Sequence, residues 1–149
     1  MAIFEIEGRR TNLANRYAME ALTSSFHFMV TDFAIGDQGH DPANIGLARS
    51  PNAAMLLPND GLPLLFGPEP LDGRLILPSN AVRFVAVLER TEAVGFFSQI
   101  CLMATVTEVP DGADDLPAVG EQFVWAVVNR PLTSKTDTER NVYGITVRR

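Results

Sequence analysis

The spacers between apolar runs constrain this chain more than any other feature. Ala81 to Glu89, Gly95 to Thr107, Gln122 to Asn129 and Asn141 to Val147 are rich in β-branched and aromatic residues, each bounded by Gly, Pro or acidic turn formers, a pattern that predicts strands. The stretches between them are too short and too polar for crossover helices, so neighbouring strands are expected to run antiparallel. With 149 residues, 46% hydrophobic and 20% charged, the chain amounts to one domain, 1–149, of ordinary globular composition, which excludes a disordered tail.

The N-terminal third adds one strand, one helix and a second strand. Ile3, Glu5 and Glu7 alternate with Phe4 and Ile6, the period of a strand covered on one face, and Gly8 is expected to end it. Asn12 is a fitting N-cap, and Leu13, Ala14, Tyr17, Ala18, Ala21 and Leu22 fall on one face of a helix from Leu13 to about Thr23. Arg16 and Glu20, four apart on the other face, are placed to pair. The Tyr17 face is expected to pack on the sheet. From Phe26 to Ile35 the aromatic and β-branched residues predict a strand covered on both faces.

Gly36 to Pro42 is a cluster of turn formers, and seven of the ten prolines lie between Gly36 and Asn80. A loop of that length is uncommon unless it is a functional arm. Within it, Leu62 to Phe66 and Arg74 to Leu77 are long enough to pair as edge strands. The expected fold class is α+β: a mainly antiparallel β-sheet, one N-terminal α-helix, and a long Pro-rich inserted arm at about 41–80.

A net charge of −6 argues against nucleic acid as partner, because neutralising phosphates needs clustered Lys and Arg. No apolar run approaches the ~20 residues of a membrane helix, and the two acids among the first seven residues do not fit an export signal. Cys101 is the only cysteine, which favours synthesis in a reducing cytoplasm. Eleven of the twelve basic residues are arginines, a bias that suits interfaces.

Catalytic and metal chemistry find little support. Asp37, His40 and Asp41, with Asp32 nearby, form the best candidate metal or acid–base cluster, but a calcium loop starting at Asp37 would need Glu where Ala48 stands. A turn whose aspartates bond nearby amides is the simpler reading. Ser24 or Ser25 with His27 and Asp32 lacks a nucleophile elbow. Cys101, between Ile100 and Leu102, is expected in the core, as is Trp125, and Asp114 and Asp115 at the surface. Two histidines without a second cysteine exclude a structural zinc. No phosphate or dinucleotide fingerprint occurs, so no cofactor is expected.

Several stretches, in order, resemble the N-terminal attachment domain of bacteriophage tail-collar and tail-fibre proteins. They are the helix Thr11-Asn12-Leu13-Ala14-Asn15-Arg16-Tyr17-Ala18, then Thr31 to Gly39 with its Gly-Asp-Gln-Gly turn, then Gly95-Phe96-Phe97-Ser98-Gln99-Ile100-Cys101-Leu102. Last comes Phe123 to Leu132, leading to the lone Lys135 and a closing strand. Gln99 stands where that family often carries an acid.

The resemblance implies a structural part of a virion tail, made in the host cytoplasm, with no catalysis. Ending at Arg149 directly after the last strand, the chain is expected to be a baseplate or collar subunit or a fibre adaptor. Its partners would be other copies, in a trimer or multiple of three, and neighbouring tail proteins. Because proline lowers the entropy lost when a segment is ordered, the arm is expected to contact adjacent subunits through Pro51, Pro58, Leu62, Leu64, Leu65, Phe66, Pro68, Pro70 and Arg74. The competing readings are a capsid or sheath decoration protein, a metal enzyme using Asp32, Asp37, His40 and Asp41, and a sugar-binding module exposing Trp125 or Tyr143.

Overall fold

Strand β1 (Ala2–Arg10) turns Ala2, Phe4, Ile6 and Gly8 away from solvent, as its alternation requires. After it come α1 (Asn12–Thr23), β2 (His27–Gly36), β3 (His40–Asp41), β4 (Asn44–Ala48), β5 (Leu64–Pro70), β6 (Gly73–Leu77), β7 (Ala81–Leu88), β8 (Gly95–Glu108), β9 (Gln122–Lys135) and β10 (Asn141–Arg148). This computed structural model describes residues 1–49 and 64–148, and of Leu64 the backbone alone.

Eight strands form one sheet in the order β5-β2-β8-β9-β1-β10-β7-β6, while β3 and β4 pair as a separate hairpin. The pairs are antiparallel with one exception: β1 and β10 run parallel from Ala2↔Asn141 to Gly8↔Val147. These two strands lie far apart in sequence, so no short connection dictates their direction.

Gly8 does not end β1. The strand continues and changes partner, its residues Arg9 and Arg10 pairing with Val127 and Ala126 of β9. A β-carbon at Gly8 would meet Val147 at 3.2 Å and Ile145 and Val128 at 3.4 Å. Gly8 therefore marks the crossing between the two halves of the sheet rather than a turn.

The sheet curls so that its two edge strands approach each other without pairing. β5 and β6 are its opposite edges, yet only Leu71 and Asp72 separate them in sequence. The Leu71 amide donates to the Thr31 carbonyl (3.0 Å) and the Asp72 amide to the Val85 carbonyl (2.8 Å), tying β2 to β7 across the opening. Phe33, Ile35, Phe84, Leu88, Phe97, Ile100, Leu102, Tyr143 and Ile145, among others, fill the interior, with Phe4, Ile6 and Phe66 packed against them. Arg130 of β9 lies over the Phe4 ring at 4.8 Å and the Tyr143 ring at 5.6 Å, a cation–π cover.

The helix closes one end of this core. Tyr17 packs on the sheet as expected, 5.2 Å from the Phe26 ring and edge-on to Phe123 at 4.9 Å. Its N-cap is Thr11, not Asn12: Thr11 Oγ1 accepts from the Ala14 amide (3.0 Å) and donates to the Val124 carbonyl (2.8 Å). Burial decides between the two candidates, because Thr11 is fully enclosed and its hydroxyl satisfies two backbone groups at once. Leu22, expected on the buried face, is 79% exposed at the last turn, and no ion pair joins Arg16 to Glu20 among the described residues.

β2 is covered on both faces only in its second half. Phe33, Ala34 and Ile35 are buried, but His27 and Met29 face solvent. Of the segment expected as an arm, 64–77 supplies both sheet edges, in line with the expected edge strands, and 41–48 lies in the β3–β4 hairpin. Residues 50–63 lie outside the described residues. No helix among the described residues is long and apolar enough to cross a membrane.

Candidate assembly surface

The residues singled out for an interface divide sharply. Pro51, Pro58 and Leu62 lie outside the described residues, and Leu64 begins β5. Leu65 is 54% exposed, and Pro68, Pro70 and Arg74 are also at the surface. Phe66 differs from its neighbour: it is half-buried against the interior core, because alternation along β5 turns it inward when Leu65 turns outward. At Gly67 the backbone has φ +92°, and a β-carbon would meet the Phe33 carbonyl oxygen at 2.8 Å. Only glycine lets β5 lie so close to β2.

Both sheet edges present apolar side chains. On β6, Leu75 is 59% and Ile76 71% exposed, and every residue from Gly73 to Ile76 faces solvent. Neither β5 nor β6 has a second strand partner among the described residues. Arg74, Ile76 and Met29 border a depression of about 230 Å³ floored by Phe84 and Trp125. Ile45 and Leu47 on β4 are more than half exposed as well. An uncovered strand edge with apolar side chains is a template for another chain.

The residues considered for chemistry do not converge. Asp41 Oδ1 accepts from the Ala43 backbone amide at 2.8 Å, the turn chemistry expected of it, whereas Asp37 accepts from the side-chain Nε2 of Gln38 at 3.1 Å. No group of three metal-ligating side chains forms among the described residues. Ser24 Oγ donates to the Glu20 carbonyl and accepts from the Phe26 amide, closing the helix C-terminus. Cys101 is enclosed, and burial pushes its thiol up to about 12. Tyr143 is buried, and its phenol is raised by burial. Trp125 stands edge-on to Phe84 at 5.8 Å. Asp114 and Asp115 are exposed.

Two polar contacts were not foreseen. His40 Nδ1 lies 2.9 Å from Ser98 Oγ, which also accepts from the Gly39 amide at 2.9 Å. Ser98 is only 1% exposed, so this enclosed hydroxyl fastens the β3–β4 hairpin to β8. Beside it, Gln99 donates from Nε2 to Asn129 Oδ1 (3.2 Å). The readable signal was Ser98-Gln99 within an otherwise apolar run, since buried polar side chains need a polar cover.

The second is Lys135, 2% exposed, whose Nζ donates to the carbonyls of Glu89, Arg90 and Thr136. Its signal was its place, a lone lysine at the end of a strand in a chain that otherwise uses arginine. Compared with known proteins, the chain matches no family model, no curated protein and no solved structure.

Proposed function

We propose that this protein is a structural subunit of a bacteriophage tail, a baseplate or collar component or a tail-fibre adaptor, that works by joining other chains. The observation that carries the assembly role is the pair of sheet edges: among the described residues, Leu65 on β5, and Leu75 and Ile76 on β6, stand exposed beside unpaired backbone. Such edges are normally blunted by charge, proline or a covering element unless a neighbour occupies them. Pro68 and Pro70 blunt β5 in part, whereas β6 carries only Arg74 as a charged residue. Occupation by neighbouring subunits accounts for this asymmetry.

The tail itself rests on the ordered resemblance of the helix, the Thr31–Gly39 stretch, the Gly95–Leu102 strand and the Phe123–Leu132 strand to the tail attachment domain. Immunogold labelling of purified particles tests it. Gold at the tail end is the expected result; gold on the head would replace it with capsid decoration, and unlabelled particles would remove the virion role.

A further inference from the structure

We infer that this chain associates with copies of itself, an arginine-lined groove on one copy taking the acidic β8–β9 loop of another. The groove lies where β1 and β10 end, is about 360 Å³, and is walled by Arg9, Arg10, Arg148, Asn15, Thr146 and Glu7. Glu7 Oε1 holds Arg148 at 3.2 Å. Arg9 and Arg10 have no ion-pair partner among the described residues, so the groove keeps a positive excess.

The complementary charge sits on the same chain. Between Glu108 and Glu121 there are five acids, Glu108, Asp111, Asp114, Asp115 and Glu121, and no basic residue. All five are exposed and none makes an ion pair among the described residues. The remaining thirteen acids nearly balance the twelve bases, so this one loop holds most of the net negative charge. The loop is built rather than slack: Val109 and Leu116 pack against the core, the Gly120 amide donates to the Val106 carbonyl, and the Val106 amide donates to the Glu121 carbonyl, each at 2.9 Å. An ordered acidic knob loses little entropy on docking, and opposed potentials steer its encounter with the groove. Knob and groove lie toward the same end of the sheet, since Arg10 pairs with Ala126 a few residues beyond the loop, so two copies can exchange knobs reciprocally about a twofold axis or join in a row.

This deepens the assembly reading and rests on it for its role, but it is measured on the purified chain in solution, so particle labelling can fail while association holds. Sedimentation velocity of the full chain at low and high salt is the experiment, with circular dichroism checking that each variant is folded. The expected result is association at low salt that fades as salt screens the charges. R9E/R148E and D114R/D115R should each weaken it about a hundredfold, and an equal mixture of the two variants should restore it, since each supplies the face the other lacks. A monomeric wild-type chain at low salt, association unchanged in both variants, or a mixture that stays monomeric would each overturn the inference.

Discussion

Lys135 donates from Nζ to the carbonyl oxygen of Glu89 at 2.8 Å. Bonds to the Arg90 and Thr136 carbonyls, at 3.0 and 3.4 Å, use the remaining two N–H groups, so the ammonium is fully satisfied by backbone alone. It holds the end of β9 against the turn that leads out of β7. Lys135→Met should lower unfolding stability by about 2 kcal/mol, because three hydrogen bonds from a charged donor are lost. Lys135→Arg should not rescue it, since a planar fork does not reproduce a compact three-way donor. Urea denaturation of the three proteins checks this.

The Cys101 thiol is inert while the protein is folded. Desolvation raises it from the ordinary 9.0 to about 12, so the folded state keeps its proton where the unfolded chain gives it up. Stability from this group is therefore complete below pH 9.0 and is lost as pH rises toward about 12. A disulfide reagent at mildly alkaline pH should label the native protein far more slowly than the urea-unfolded one, and Cys101→Ala should flatten the alkaline loss of stability.

The hairpin formed by β3 and β4 depends on the contact of His40 with Ser98. Ser98→Ala removes the oxygen that meets both the Gly39 amide and His40 Nδ1. It should raise amide exchange across residues 40–48 while costing the whole domain only about 1 kcal/mol. Gly39→Ala should do more, because its β-carbon would land on the Ser98 carbonyl oxygen, a backbone atom with no room to move aside. Hydrogen exchange read by mass spectrometry separates local release of the hairpin from global destabilisation.

Glu5 and Arg83 pair across β1 and β7, with Arg83 Nε donating to Glu5 Oε2 at 3.2 Å. That hydrogen bond holds the Glu5 carboxyl below its ordinary value. A depressed carboxyl contributes stability that is present above the ordinary value and lost as pH falls through the depressed one. The pair is solvent-exposed, so its effect on folding is small. A carboxyl-carbon NMR titration should show Glu5 protonating below the ordinary carboxyl range, and Arg83→Gln should return it to that range.

Much of the sheet was legible from local pattern. Ala81–Leu88, Gly95–Glu108 and Asn141–Arg148 announce themselves through β-branched runs and short polar spacers, and so does β9 as far as Asn129. Its continuation through Pro131 to Lys135 was not legible, because it rests on pairing with Gly95–Phe97. The parallel β1·β10 pair and the crossing at Gly8 were not legible, because they depend on which distant strand lies alongside. The N-cap went to Asn12 on type alone, whereas the burial of Thr11 against Val124 decided it. Phe66 was grouped with Leu64 and Leu65 as an arm contact, and which of these side chains turns toward the core depends on the register of β5 against β2. Ser98 with His40 and Lys135 with Glu89 join residues more than 40 positions apart, a kind of contact that spacing in a single sequence does not show.

The most direct test of the central claim, that the open sheet edges are occupied by neighbours in an assembled tail, is incorporation of a β6-edge variant. Leu75→Lys with Ile76→Lys changes two exposed side chains and should leave the fold intact by circular dichroism. Produced in infected cells in place of the natural chain, the variant is predicted to accumulate as folded protein and to be missing from purified particles. Particles carrying it at wild-type occupancy would contradict the account.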